Sequence, residues 1–315
     1  MLTFLFPGQG SQSIGMGKAL YDNYACAKEV FDEVDEALGE KLSAVIFDGT
    51  DEQLTLTANT QPALMAVSLA ATRVLEQQAG CKLSALGAYV AGHSLGEYSA
   101  LCAIGALSVS QAARLLRLRG QAMQQAVPVG QGAMAAILGL EMEQVESLAQ
   151  QASSAQSLCQ VANDNAPGQI VLSGHKEAVM QAIDLAKEQG AKRALLLPVS
   201  APFHCALMQP AADAMQEALQ EVSWPEKLDL PLVANILAAP YQQGGQSQAL
   251  LVEQVTGRVR WRESMQWLAQ QGISETVELG AGKVLSGLMK RIAKDVKCSA
   301  LSNEAEISAF LEARA

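Results

Sequence analysis

The sequence predicts an α/β protein with a mostly parallel sheet flanked by helices and a smaller subdomain inserted into it. The chain has 315 residues, which exceeds the usual size of a single domain. Half of the residues are apolar but only 4% are aromatic, and this composition suits helices packed on a sheet better than a sandwich of antiparallel strands. Short apolar runs also end in Gly-rich turns that lead into helical stretches, as expected of alternating strands and helices.

The composition argues against several classes of protein. The six cysteines are scattered and form no C-x-x-C pair, so we expect reduced thiols and no disulfide or zinc site. No apolar run approaches the ~20 residues of a membrane span, and the first apolar stretch is too short for a signal peptide. The net charge of −10 argues against nucleic-acid binding. We therefore expect a soluble cytoplasmic protein with no membrane or nucleic-acid partner.

The first predicted strand, residues 2–6, opens into a Gly-rich turn over residues 7–12. In a parallel sheet, ligands bind at the carboxyl ends of the strands, so the backbone N–H groups of this turn are candidates for an oxyanion loop. A phosphate cradle is the alternative, but the glycine spacing fits neither the dinucleotide-binding fingerprint nor the P-loop. Helices are then predicted over residues 17–38 and 60–78, with Pro62 in the first turn of the second.

The next apolar run, residues 85–91, ends in the sequence Gly-His-Ser-Leu-Gly and is followed by a helical stretch toward residue 104. A G-x-S-x-G motif between a strand and a helix predicts a nucleophile elbow with Ser94 at its tip. The two glycines are needed because this strained turn leaves no room for Cβ atoms on either side. The backbone N–H of Leu95 would then point toward a reacting carbonyl group. The alternative interpretation is a structural Gly-Ser turn. If Ser94 is a nucleophile, we expect the main sheet to form a hydrolase-like core.

A helix is predicted over residues 108–126, beginning at a capping box formed by Ser108 and Gln111. Its apolar stripe is completed at the helical spacing by Arg119. A guanidinium group on the core-facing side is costly unless it is paired, because arginine keeps its proton, so it should grip a carboxylate. That carboxylate could belong to the protein or to a substrate, and helix geometry alone favours neither.

The pattern changes between Pro128 and Pro198, where strands and helices are predicted in the order β-α-β-β-α-β. This is the split-βαβ or ferredoxin-like arrangement. The sequence thus predicts an inserted ferredoxin-like subdomain over residues 128–198. Residues 1–127 and 199–315 would form the large subdomain that carries Ser94 and His204. In its last part, strands are predicted over 232–235 and 276–279, and helices over 249–255 and 261–271, before a final basic helix.

The chain has only three histidines, so the search for a general base is short. His93 lies inside the elbow, with its side chain expected to point away from that of Ser94, and His175 lies in the predicted insert. His204 remains, in a loop stiffened by Pro198 and Pro202 at the return to the large subdomain. We therefore expect His204 to be the base. No acidic residue is evident as its partner, so a dyad oriented by a backbone carbonyl and a full triad both stay open.

Several motifs, taken together and in order, closely resemble the malonyl-CoA:acyl carrier protein transacylases. The resemblance extends over nearly the whole chain. The motifs are Phe6-Pro-Gly-Gln-Gly-Ser-Gln12, Gly92-His-Ser-Leu-Gly-Glu-Tyr98, Arg119-Gly120 with Met123, Asn163 and Asn165 before Pro167-Gly168-Gln169, Pro202-Phe-His204, and Gly280-Ala-Gly-Lys-Val-Leu285.

The resemblance implies a catalytic role for five positions. Ser94 is the nucleophile that becomes acylated, and His204 is the base. Arg119 binds the carboxylate of the malonyl group. The backbone N–H groups of Gln9 and Leu95 are the oxyanion donors.

The resemblance also implies roles for five further positions. The main-chain carbonyl of Gln254 holds the histidine, and Asn163 and Asn165 line the cleft between the subdomains. Met123 lines the acyl pocket. Phe203 resembles the residue found where malonyl is preferred over methylmalonyl, because its ring fills the space that an α-methyl group needs.

The implied activity is transfer of a malonyl group from malonyl-CoA to the phosphopantetheine thiol of an acyl carrier protein, for fatty-acid synthesis. The implied ping-pong mechanism uses a malonyl-serine intermediate and no metal or redox cofactor. Alternatives are a trans-acting acyltransferase for a polyketide synthase, a malonate decarboxylase component, a serine esterase and an inactive carrier-binding module. Residues 257–297 carry eight Lys or Arg and four Asp or Glu, a net charge of +4. This segment is our candidate for docking an acidic carrier protein.

Overall fold

The computed structural model describes residues 1–199 and 201–314. Its main sheet has six strands: β1 (Leu2–Phe6), β2 (Tyr89–Gly92), β7 (Lys227–Ala234), β8 (Ala239–Gln243), β9 (Glu275–Leu279) and β10 (Lys297–Leu301). The strand order is β10-β9-β1-β2-β7-β8, and every neighbouring pair is parallel except the β7–β8 hairpin at one edge. The predicted mostly parallel α/β sheet is therefore confirmed.

The main sheet is covered on both faces, as parallel sheets require. Successive side chains of β1 alternate between two cores: Phe4 and Phe6 pack into the larger one, whereas Leu5 packs into the core that contains Trp261. These three side chains are fully buried. The mostly apolar sequence of this first strand follows from that two-sided burial.

Helices before residue 128 differ from the sequence prediction at several points, and two short helices between residues 42 and 55 were not predicted at all. The helix predicted over 17–38 is interrupted, because Tyr24 adopts an extended conformation with φ −128° and ψ 119°. The helix predicted from residue 60 begins at Thr57, so Pro62 lies in its second turn and not in the first. A short helix occupies the beginning of the strand predicted over 85–91, which shortens β2. The helices are α1 (Lys18–Asn23), α2 (Ala25–Leu38), α3 (Leu42–Asp48), α4 (Asp51–Thr55), α5 (Thr57–Ala79), α6 (Leu83–Leu86), α7 (Gly96–Ala103) and α8 (Val109–Gln125).

A second sheet is formed by β3 (Gly132–Leu138), β4 (Cys159–Ala166), β5 (Gln169–His175) and β6 (Arg193–Leu196). Its order is β4-β5-β3-β6, all neighbours are antiparallel, and α9 (Met142–Ala152) and α10 (Lys176–Glu188) pack against it around a separate core. The elements follow each other in the predicted β-α-β-β-α-β order. We propose residues 128–198 as an inserted ferredoxin-like subdomain, with residues 1–127 and 199–315 as the large subdomain.

The second sheet is joined to the rest of the chain by backbone hydrogen bonds at its β4 edge. The Val259 N–H donates to the carbonyl oxygen of Ala162 at 2.8 Å, and the Asp164 N–H donates to that of Val259 at 2.9 Å. The side chain of Arg262 also pairs with the buried carboxylate of Asp164 at 2.8 Å. These contacts fix one side of the cleft between the two sheets.

Four elements of the C-terminal part were not predicted from periodicity. They are the edge strands β8 and β10 and the helices over residues 209–220 and 304–312. The remaining helices are α11 (Gln209–Gln220), α12 (Gln246–Thr256), α13 (Trp261–Gln270), α14 (Val284–Ile292) and α15 (Glu304–Glu312). In the described part of the chain, none of the helices has the length and apolar character needed to span a membrane.

Candidate active site

A cavity of about 170 Å³ lies between the two sheets, where β1 and β2 end. Residues of the second sheet and of the loops that follow β1 and β2 contribute to its walls. Nine of the ten site residues expected from the sequence line it: Gln9, Ser94, Leu95, Arg119, Met123, Asn163, Asn165, Phe203 and His204. The tenth, Gln254, lies behind this wall and hydrogen-bonds to three of its members.

The chain reverses sharply at Ser94, between β2 and α7. Ser94 has a φ of 54°, in the left-handed region that non-glycine residues seldom adopt. A Cβ atom on Gly92 would lie 1.9 Å from the carbonyl carbon of Gly96, and one on Gly96 would lie 2.3 Å from the carbonyl oxygen of Phe6. Both positions therefore require glycine. The motif has the strand-turn-helix geometry of a nucleophile elbow.

Ser94 and His204 form a hydrogen-bonded pair. The Oγ atom of Ser94 lies 2.8 Å from Nε2 of His204, and Nδ1 of His204 lies 2.9 Å from the carbonyl oxygen of Gln254. Because a carbonyl oxygen only accepts, Nδ1 carries the proton and Nε2 accepts from the serine hydroxyl. Within residues 1–199 and 201–314, no carboxylate hydrogen-bonds to His204. The geometry is that of a dyad oriented by a backbone carbonyl.

His204 is held in its neutral form by its surroundings. Its side chain is buried, and burial together with the nearby Arg119 guanidinium lowers its pKa to about 3. The neutral imidazole can take up a proton from a serine hydroxyl, whereas an imidazolium cannot. The environment thus keeps the base in its reactive form at neutral pH.

Two backbone N–H groups are available beside Ser94. Gln9 and Leu95 both line the cavity, and the hydrogen bonds of the described residues give neither N–H a protein acceptor. Leu95 immediately follows Ser94, and Gln9 lies in the turn after β1, the strand that pairs with β2. Donors of this kind can stabilise the negative charge of a tetrahedral intermediate.

Arg119 is buried with only 1% of its surface exposed, and its guanidinium group lies at the cavity wall. It donates to Oε1 of Gln61 and to Oε1 of Gln254, both at 2.8 Å, and to Oγ of Ser94 at 3.1 Å. Its Nε has no hydrogen-bond partner. In the described part of the chain, no carboxylate oxygen lies within salt-bridge distance of it, so the internal salt bridge weighed from the sequence is not formed. A buried guanidinium without a carboxylate is poised to bind one from outside.

Comparisons with known proteins agree with this geometry. The family model described as an acyl transferase domain matches residues 3–304. The chain belongs to the acyl transferase family. It is 46% identical over 313 residues to malonyl CoA-acyl carrier protein transacylase from Bacillus subtilis, covering 99% of this chain and 96% of the relative.

Solved structures of the family have the same fold. An acyl-carrier-protein-S-malonyltransferase from Bartonella henselae superposes with a TM-score of 0.96 at 54% identity, covering 99% of this chain and 98% of that one. A malonyl-transacylase in complex with its type II PKS acyl-carrier protein superposes with a TM-score of 0.94 at 40% identity, covering 99% of both chains.

The other wall of the acyl transferase cavity contains the expected polar and apolar residues. Asn165 lies 2.8 Å from Nε2 of His93 through its Oδ1 atom, so His93 reaches the cavity but bonds to the insert and not to Ser94. Asn163 and Phe203 are both more than nine-tenths buried. Met123 packs beneath Gln61, whose Nε2 lies 3.8 Å from its sulfur atom. The structure therefore brings the expected lining residues together around Ser94.

Sequence reasoning missed three buried polar side chains at this site: Gln61, Glu97 and Asn235. Oδ1 of Asn235 accepts from the Ser94 N–H at 2.7 Å, and its Nδ2 donates to the carbonyl oxygen of Gly92 at 2.7 Å. Glu97 accepts from the Asn235 N–H and from Nε2 of Gln254. Burial raises the pKa of Glu97 to about 8, although these two donors and Arg119 oppose the shift. A signal existed for Asn235, because it is a polar residue at the carboxyl end of an apolar strand.

The lowered pKa of His204 predicts how the reactivity of Ser94 depends on pH. A serine-directed fluorophosphonate should label Ser94 at a rate that stays level from about pH 8 to about pH 5, because the imidazole is neutral throughout this range. An unperturbed histidine would lose its base form below its ordinary pKa of about 6.5. The measurement is the second-order rate constant of labelling at each pH. A fall in rate centred near pH 6.5 would contradict the prediction.

Proposed function

We propose that this protein transfers the malonyl group of malonyl-CoA to the phosphopantetheine thiol of an acyl carrier protein, supplying malonyl units for fatty-acid synthesis in the cytoplasm. The observation that carries the proposal is the buried guanidinium of Arg119, which lies 3.1 Å from the hydroxyl of Ser94 and has no carboxylate partner among residues 1–199 and 201–314. Its charge calls for an acyl group that bears a carboxylate. The family relatives reported above are named for malonyl transfer to acyl carrier protein.

In the first half-reaction, Oγ of Ser94 attacks the thioester carbonyl while Nε2 of His204 takes the hydroxyl proton. The carbonyl oxygen becomes an oxyanion, which accepts hydrogen bonds from the backbone N–H groups of Gln9 and Leu95. Collapse of the intermediate breaks the C–S bond. The proton on His204 passes to the departing sulfur, so coenzyme A leaves as the thiol and the malonyl group remains as an ester on Ser94.

In the second half-reaction, the carrier's phosphopantetheine thiol occupies the position that coenzyme A has left. His204 takes the thiol proton as the sulfur attacks the ester carbonyl, and the same two N–H groups stabilise the oxyanion. The ester C–O bond then breaks, and His204 returns the proton to Oγ of Ser94. The carbonyl oxygen of Gln254 keeps the imidazole in the tautomer that both halves require.

The remaining wall selects the acyl group. Arg119 holds the free malonyl carboxylate in a charge-assisted pair, which places the thioester carbonyl beside Ser94. Met123 supplies an apolar surface for the short acyl chain, and Asn163 and Asn165 line the polar side of the cleft. The ring of Phe203 fills the space that an α-methyl group would occupy.

The proposal is tested by intact mass after mixing the protein with malonyl-CoA. We expect a malonyl adduct on the wild-type protein and none on Ser94→Ala, followed by loss of the adduct when a carrier protein with its phosphopantetheine arm is added. Acetyl-CoA should give little adduct. Loss of the adduct to water at the same rate with and without the carrier would indicate an esterase and contradict the proposal.

Arg119→Ala should lower kcat/KM for malonyl-CoA by about 10²–10³, because the substrate carboxylate is then buried without its partner, at a cost of about 3–5 kcal/mol. The rate with acetyl-CoA should stay level or rise, because acetyl has no carboxylate. The measurement is kcat/KM for both thioesters alongside the melting temperature.

Arg114→Ala is the matched control, since Arg114 lies on the same helix but is exposed and donates only to the carbonyl oxygen of Ala37. It should leave both activities unchanged. A parallel loss of malonyl and acetyl transfer in Arg119→Ala would count against the carboxylate role.

Most of the positive charges in the segment that we propose docks the carrier protein are already paired within the chain. Five of the eight cations in residues 257–297 are already paired with carboxylates of the chain: Arg258, Arg260, Arg262, Lys283 and Lys297. Arg291 donates to the side chain of Gln169 and to the carbonyl oxygen of Pro167. In the described residues of this segment, Lys290 and Lys294 have no such partner. They are exposed and therefore available to an acidic partner.

The double variant Lys290→Glu and Lys294→Glu should raise KM for the carrier protein by about tenfold and weaken the dependence of that KM on salt, because it removes attractive charge from the docking surface. Adduct formation from malonyl-CoA should not change. Lys176→Glu with Lys227→Glu is the control, as it makes the same change of net charge at two exposed lysines outside the segment. An equal rise in KM in both variants would remove this surface from consideration.

A further inference from the structure

Both peptide groups that flank the Cα atom of Ser94 are held by buried side chains. The preceding peptide presents the Ser94 N–H to Oδ1 of Asn235 at 2.7 Å. The following peptide presents the Ser94 carbonyl oxygen to Nε2 of Gln254 at 3.0 Å. The backbone N–H of Glu97 also donates to the Ser94 carbonyl oxygen, at 3.0 Å, so the side-chain contacts act together with this turn of the backbone to hold the unusual conformation of Ser94.

The contact from Gln254 also sets the direction of an oxyanion donor. A trans peptide is planar, so its N–H points opposite to its carbonyl oxygen. Because Gln254 holds the carbonyl oxygen of Ser94, the N–H of Leu95 in the same peptide points in the opposite direction. The side-chain amide of Gln254 therefore affects the position of Ser94 and also the direction of the proposed oxyanion donor, the N–H of Leu95.

The orientation of the Gln254 amide follows from its partners. Arg119 can only donate, so it requires the oxygen of the amide, and the Ser94 carbonyl can only accept, so it requires the nitrogen. The second hydrogen on that nitrogen points at Glu97. Oε2 of Glu97 therefore accepts a hydrogen bond from the amide nitrogen of Gln254.

The other oxygen of Glu97 accepts from the backbone N–H of Asn235. Both carboxyl oxygens thus face donors, an arrangement that an amide cannot reproduce because its nitrogen does not accept a hydrogen bond. The contacts close a ring that runs from Ser94 through Asn235, Glu97 and Gln254 and back to Ser94. Asn235 is fully buried, and Glu97 and Gln254 have 2% and 1% of their surfaces exposed.

We propose that Glu97 and Asn235 are positioning residues for acyl transfer. Neither touches the substrate. The two carboxyl oxygens of Glu97 hold Asn235 and Gln254 in the relative placement from which their side chains contact both peptide groups of Ser94. The inference rests on the proposed role of Ser94 as the nucleophile.

Glu97→Gln tests the inference, because the amide has the same size but can accept at only one of the two positions. One donor then stays unpaired, and one of the two side chains that hold the peptide groups of Ser94 is less firmly placed. We expect labelling of Ser94 by a small alkyl fluorophosphonate to slow by about 10- to 100-fold, the effect of a small misplacement of reacting atoms. Asn235→Ala removes both of its side-chain contacts with the elbow and should slow labelling to a similar extent.

Glu278→Gln is the matched control. Glu278 is also fully buried and also accepts from two N–H groups, those of Leu285 at 3.1 Å and Ser286 at 2.8 Å, but it does not contact the site. It should lower the melting temperature about as much as Glu97→Gln while leaving the labelling rate within about twofold of wild type. If Glu97→Gln does not fold, Asn235→Ser is measured in its place, with the same expected loss.

The fluorophosphonate has neither a coenzyme A group nor a carboxylate, so the result separates this inference from the proposed function. Wild-type labelling at Ser94 with no malonyl transfer would overturn the proposed function and leave the positioning measurement intact. Labelling of Glu97→Gln and Asn235→Ala at the wild-type rate would overturn the positioning role alone. An equal slowing in Glu278→Gln would also overturn it, because the effect would then be one of general stability.

Discussion

The reversal of the chain at Ser94 is the constraint on which the site depends. It forms only because the backbone at Gly92 and Gly96 comes closer than a Cβ atom allows. It also lies at the middle of the sheet, where β2 is flanked by β1 and β7. The neighbouring strand β1 ends in the loop that carries Gln9, and β7 leads directly to Asn235. Because β2 lies between these two strands, Gln9 lies on one side of the turn and Asn235 on the other.

The positive charge of Arg119 dominates the electrostatics of the cavity around Ser94 and His204. A buried cation beside Ser94 is costly, and in the described chain amide oxygens solvate it without a carboxylate. The same positive charge disfavours protonation of His204, which keeps the imidazole available as a base. One guanidinium group therefore helps to keep His204 neutral and also carries the charge that we propose binds the carboxylate of the substrate.

The parts of the site that the sequence predicted are those with a local signature. Ser94 lies in a short motif between a strand and a helix, and Arg119 interrupts an apolar stripe of its own helix. The local signature of Asn235 is only its place at the end of an apolar strand, and its contact with Ser94 spans 141 residues of sequence. Periodicity could not decide between the two partners considered for Arg119, since the decision depends on which side chains other helices bring to it. The contact of Gln254 with His204 was expected only from the family resemblance, and here it measures 2.9 Å. Fold elements were missed for a similar reason, since β8 and β10 are short edge strands whose pairing is set by their neighbours.

The backbone conformation of the dyad has a consequence for the evolution of the enzyme. In the part of the chain that the structure describes, only three non-glycine residues have positive φ angles, and two of them are Ser94 at 54° and His204 at 57°. Each such residue costs about 1–3 kcal/mol relative to an unstrained position. Relieving this strain would require a backbone change that also moves Ser94 or His204, the groups proposed to react. We therefore expect evolution to retain the strain and to offset its cost through contacts elsewhere in the fold.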